Sequence, residues 1–170
     1  MDDFIKSNIS KKEHLELDRA DEILKRSIAL AEAIQESGGG FIFENPVDRG
    51  DPNAQDDAIR RRYREQWKTH LPLWETEAMR ELWEKGQVKA VTFPQCALGG
   101  RYQKWTTLWY TSELQTILND LHICTCTHTS HPEIAVGRGV CGKEWKSAEA
   151  AAYPAQMNHL LAKAIQGLVK

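Results

Sequence analysis

Six residues with metal-ligating side chains, His122, Cys124, Cys126, His128, His131 and Cys141, fall within twenty positions of the 170-residue chain. Imidazole nitrogens and thiolate sulfurs are the donors of tetrahedral zinc sites, and four of them can hold a loop that has little core of its own. His128-x-x-His131 suits a shared ion, whereas Cys124-x-Cys126 is tighter than the usual cysteine pair. No His-Glu-x-x-His pattern accompanies the cluster, so the chemistry it points to is a structural zinc rather than a hydrolytic one. The candidate ligands are Cys124, Cys126, His128, His131 and Cys141, with His122 in reserve. Spacing alone leaves a second reading open, an unmetallated loop of exposed histidines and small cysteines.

A second group of candidates begins at Phe41-Ile42-Phe43-Glu44-Asn45-Pro46. Pro46 fixes its own φ and pushes Asn45 towards extended geometry, so the strand stops with Glu44 and Asn45 near its carboxyl end. Open α/β sheets assemble their sites there; a solvated Glu on a strand-ending turn is the plainer alternative. A third candidate is Arg60-Arg61-Arg62-Tyr63-Arg64 with Trp67. Guanidiniums interleaved with aromatic rings suit a phosphate backbone and stacked bases. A solvated helix face balanced by Asp56, Asp57 and Glu65 fits the same residues. Gly137-Arg138-Gly139 is a turn that can also set a guanidinium against an anion.

The elements that must position these residues follow from periodicity. Residues 1–17 are polar, without a clear period, and read as an irregular arm. From there to Glu36 the stripe Leu24, Ile28, Ala31 and Ile34 predicts a helix, closed by Ser37 and three glycines. Those glycines follow a helix and precede a strand, the reverse of a phosphate loop. Residues 40–43 are a strand, 73–85 an amphipathic helix carrying Trp74 and Trp83, and 88–93 a β-branched strand before Pro94. Gln95-Cys96-Ala97-Leu98-Gly99-Gly100 makes a turn into a returning strand at 104–110. A short helix at 113–121 and a final one at 155–168 complete the pattern. Helix-then-strand order at 20–43 and again at 73–93 predicts crossover connections. The expected fold is α/β and Rossmann-like: a mixed sheet with 40–43 and 88–93 among its parallel strands, an antiparallel excursion at 104–110 and flanking helices. One domain spans 1–170, with a Cys/His-rich insertion at 122–142.

Hydrophobic residues make up 41% of the chain and six are Trp, enough bulky apolar area to exclude a disordered chain. The formal net charge is -2, so any polyanion site must be local. No apolar run reaches the ~18 residues of a membrane span, and no secretory signal opens the chain. The expectation is an intracellular protein, nuclear or cytoplasmic, with no membrane partner. Cysteines in a reducing compartment serve metals or stay thiols before they form disulfides.

Ala20-Asp21 leading a helix, then Phe41-Ile42-Phe43-Glu44-Asn45-Pro46, then Gln95-Cys96-Ala97-Leu98-Gly99-Gly100 running to Lys104-Trp105-Thr106, resembles the carboxyl-terminal half of cytosine-5 DNA methyltransferases. The likeness is to the divergent phage and mobile-element forms. It implies a methyltransferase half-domain in which Glu44, with Asn45 beside it, contacts the N3 and exocyclic amine of a flipped cytosine. Gln95, Arg101 and Lys104 would lie near the same base and the DNA backbone. In that family the S-adenosylmethionine loop and a Pro-Cys nucleophile precede Glu-Asn; the residues ahead of Glu44 contain no Cys, and Cys96 follows on another element. Attack at C6 needs a thiolate, so Glu44 alone cannot run the reaction. The resemblance therefore implies a partial or degenerate methyltransferase-like domain that binds nucleic acid. A second polypeptide would supply S-adenosylmethionine and the nucleophile. The alternative is a non-catalytic, zinc-stabilised interaction module.

Overall fold

The computed structural model describes residues 10–47, 73–131 and 150–168. Helix α1 (Lys11–Glu36) starts at a capping box: the Ser10 hydroxyl accepts the Glu13 N–H at 3.3 Å, and the Glu13 carboxylate accepts the Ser10 N–H at 2.7 Å. Two orphan N–H groups of the helix end are satisfied reciprocally. The helix therefore runs back through 11–17, which periodicity assigned to an irregular arm; the signal was the cap, Ser10-x-x-Glu13, and not an apolar stripe. The hydroxyl and N–H of Ser10 also hold the Glu13 carboxyl below its ordinary value.

Strands β1 (Ile42–Pro46), β2 (Val88–Pro94) and β3 (Trp105–Thr111) form one sheet in the order β1-β3-β2. Both outer strands are antiparallel to β3, with Glu44 opposite Leu108 on one side and Val91 opposite Leu108 on the other. This corrects the mixed sheet expected from the helix-then-strand order. β1 and β2 point the same way but never pair, because the tight turn after β2 lays β3 between them. β3 is buried from Thr106 to Thr111, as a central strand must be, and its β-branched and aromatic residues suit that position.

Each face of the sheet is covered. On one, Ile28 and Ala31 of α1 and Met79 and Leu82 of α2 (Glu77–Lys85) pack on Val88 and Trp109. The Trp74 ring stacks on Trp109 at 5.0 Å and is core, whereas Trp83, which the same spacing would place in the core, is 42% exposed. On the other face, Val91, Phe93, Leu108 and Tyr110 meet Leu114, Leu118 of α3 (Gln115–Leu118) and Leu121, together with Met157 and Ala164 of α4 (Ala155–Gln166). Helices on both faces of this antiparallel sheet make the fold a mixed one of α and β, compatible with the α/β class but without its parallel strand pairs among the described residues. Among the described residues no helix is long and apolar enough to cross a membrane.

Candidate metal centre and adjoining pocket

The turn after β2 is a rigid frame. Gln95–Leu98 is a single 3₁₀ stretch, and Gly99 ends it at φ +82°, a left-handed conformation that favours glycine. The Gly100 N–H donates to the Gln95 carbonyl at 3.0 Å, and a Cβ on Gly100 would come within 2.8 Å of that oxygen. The Gln95 N–H donates to the Lys104 carbonyl at 2.8 Å, closing the loop at its base. Cys96 is held in this frame and is buried.

Facing it, the extended stretch beyond the 3₁₀ turn Asn119–Ile123 brings Cys126, His128 and His131. One ligand atom from each of Cys96, Cys126, His128 and His131 lies within 4.8 Å of all the others. Cys126 Sγ is 3.4 Å from His128 Nδ1 and 3.1 Å from His131 Nε2. Bond lengths to zinc of about 2.0–2.1 Å for nitrogen and 2.3 Å for sulfur imply tetrahedral donor separations of about 3.3–3.8 Å. A small contraction of the widest pairs and a slight widening of the Cys126–His131 pair reach that set, so the four residues can hold a metal ion. Without one, burial, and then the hydrogen bond and charge of the Cys126 sulfur, push the Cys96 thiol up to about 12. A cation between the sulfurs reverses that balance, since a coordinating thiol is deprotonated outright.

Three of the five predicted ligands thus come together, and the ligand that completes the set was not predicted. Cys124 is not part of it: its Sγ lies 3.5 Å from the Asp120 carbonyl and packs against the core. In extended backbone alternate residues share a side, but the Cys124 sulfur is directed back to the Asp120 carbonyl, so the tight Cys-x-Cys spacing does not deliver both sulfurs to one ion. Burial, with the Asp120 charge second, raises the Cys124 thiol. His122 Nε2 is 3.5 Å from the Tyr110 hydroxyl instead. Cys141 lies outside the described residues. Cys96 was legible only as the cysteine of a tight Pro-to-Gly-Gly turn, a signal of rigidity and not of metal.

Next to this centre is a pocket of about 350 Å³ lined by Gln95, Arg101, Tyr102, Lys104 and Tyr153, among others. Gln95 is buried and its Nε2 donates to Thr106 Oγ1 at 2.8 Å. Behind Lys104 sits Glu44, whose Oε2 accepts the Tyr153 hydroxyl at 2.6 Å and whose Oε1 is 3.8 Å from Lys104 Nζ. That Oε1 is buried and has no hydrogen-bond partner among the described residues. Lys104 Nζ also lies 5.4 Å from the centre of the Tyr153 ring, and Arg101 Cζ 5.8 Å from that of Tyr102. Burial, then the bond to Glu44, raises the Tyr153 phenol above an ordinary tyrosine.

Gln95, Arg101 and Lys104, candidates from one stretch of the sequence, line this pocket together, and Glu44 from β1 stands behind Lys104. Asn45 is not with them. Alternation along β1 sends Ile42 and Glu44 to one face and Phe43 and Asn45 to the other, as the packing of Ile42 and Phe43 in opposite clusters confirms. Arg60, Arg61, Arg62 and Arg64, with Tyr63, Trp67 and Arg138, lie outside the described residues. Tyr153 was missed; a Tyr before the Pro that opens the last helix was its only trace. Comparison of the chain with protein-family models, curated proteins and solved structures gives no match.

Proposed function

We propose that the chain is a zinc-stabilised interaction module without catalysis of its own. The observation that carries this reading is the convergence of Cys96, Cys126, His128 and His131 on one point. Two thiolates and two imidazoles suit zinc, and four protein donors leave no open position for a substrate, the mark of a structural ion. The ion would tie the 119–131 stretch to the β2–β3 turn. Protein purified without added metal should carry one zinc per chain, and chelation should raise amide exchange across 124–131. Less than about a tenth of an equivalent, with no loss of order on chelation, removes the reading.

A second reading is favoured by a separate observation, the ion pair of Glu44 with Lys104 behind a pocket that Gln95, Arg101 and Lys104 line together. Here the chain is the base-gripping half of a Rossmann-like, methyltransferase-like domain, its nucleic acid held at the pocket and its S-adenosylmethionine brought by a second polypeptide. Cys96, committed to the metal, would not be its nucleophile. Glu44→Gln keeps an acceptor for the Tyr153 hydroxyl, so the melting temperature should hardly move. Binding to single-stranded DNA containing cytosine should weaken relative to the same DNA carrying thymine. Equal binding of parent and variant to both DNAs ends this reading.

A further inference from the structure

The pocket and the metal centre share one piece of backbone. Gln95 lines the pocket and Cys96, the next residue, offers its sulfur to the metal; Gly99 and Gly100 of the same closed turn also face the pocket. Whatever fixes Cys96 fixes that wall. Among the described residues the lining carries two cations, Arg101 and Lys104, and no carboxylate. Glu44, the acid beside Lys104, is engaged by the Tyr153 hydroxyl. Its distance to Lys104, 3.8 Å, is too long for a hydrogen bond, so it orients the ammonium without using its donors. A planar guanidinium and an ammonium on one rim are the usual complement of a phosphate. The space exceeds what an inorganic ion needs and lies in the range of small-molecule sites, about 300–1,000 Å³. Tyr102 and Tyr153 provide ring walls on which a planar group can stack.

We propose that this pocket binds the phosphate of a nucleotide unit, free or in a strand, and that metal at the Cys96 centre holds it in the binding shape. The second half rests on the zinc reading above; the first does not. Because linkage is reciprocal, the factor by which zinc tightens the phosphate ligand is also the factor by which that ligand tightens zinc.

The test is calorimetric titration of the whole chain, zinc-loaded and chelator-stripped, with adenosine monophosphate, adenosine, and a single-stranded oligonucleotide. The zinc-loaded chain should bind the monophosphate or the oligonucleotide, with adenosine at least about tenfold weaker than the better of the two. Whichever phosphate ligand binds more tightly identifies the source. Lys104→Met should weaken that ligand by at least about fivefold while zinc content stays at the parental level. Adenosine binding as well as the phosphate ligands, or an unchanged affinity in Lys104→Met, overturns the pocket assignment. Equal affinity with and without bound zinc overturns the coupling and leaves the zinc reading standing. Lys104-dependent phosphate binding by a chain that carries no zinc at all removes the zinc reading and the coupling, and leaves the pocket.

Discussion

Tyr153 and Glu44 are the residues whose pairing can be tested most directly. The carboxylate is four-fifths buried, at 20% side-chain exposure, and among the described residues the phenol is its one hydrogen-bond donor from another side chain. Tyr153→Phe leaves that oxygen unpaired as well, and should cost about 1–3 kcal/mol in denaturant unfolding. The pH dependence has a definite sign. The phenol titrates higher in the folded state than an ordinary tyrosine at 10.0, so the native state holds its proton longer than the unfolded chain does. Its contribution is complete below pH 10 and is lost as pH rises towards the raised folded value. The difference in melting temperature between parent and Tyr153→Phe should therefore shrink above pH 10 and stay constant below it. At this scale the sequence was half legible. His128 and His131 stood out because they are close in the chain, whereas Cys96 and Tyr153 act through partners that only the fold brings near.

Among elements, α1 shows what a cap does where periodicity is silent. Its first half carries exposed Leu15 and Ile23 and has little apolar stripe, yet it is helical from Lys11. Ser10→Ala should cost about 1 kcal/mol of local stability and raise amide exchange in the first turn only. Glu13 is the other half of the box and titrates below its ordinary 4.5. Its stabilisation is present above that value and is lost as the carboxylate protonates at lower pH, so acid should fray the same turn that the alanine does. The helices around Ile28, Leu82 and Met157 were readable because each has a 3.6-residue stripe that ends against a core. The strands were readable from branched and aromatic runs bounded by glycine and proline. Which strand pairs with which was not, because alternation fixes a face and not a neighbour.

Across the whole molecule the two hydrophobic clusters lie on opposite sides of the sheet, and only one of them supports the metal and the pocket. Leu98 of the Cys96 turn packs in the cluster that contains Met157, while Leu82 belongs to the other. Met157→Ala and Leu82→Ala each empty a fully buried site and should cost about 2–5 kcal/mol. If zinc sits at the Cys96 centre, Met157→Ala should speed its loss to a chelator well beyond Leu82→Ala, compared at temperatures equally far below each variant's melting point. Equal rates would mean that the turn is held without help from α4.

The strand order also sets a sequence of events. β2 and β3 are joined by a short turn and find each other locally, whereas β1 must wait for a partner that lies far downstream, with β2 and the turn between them. Closing the long loop costs entropy before the β1–β3 contacts form, so the hairpin is the natural nucleus and β1 a late arrival. Substitutions in the hairpin, such as Val91→Ala, should chiefly slow folding; in β1, Ile42→Ala should chiefly hasten unfolding. Since Glu44 arrives with β1, the carboxylate behind the pocket is delivered last, and during synthesis the cationic wall around Lys104 would be assembled before the acid that steadies it.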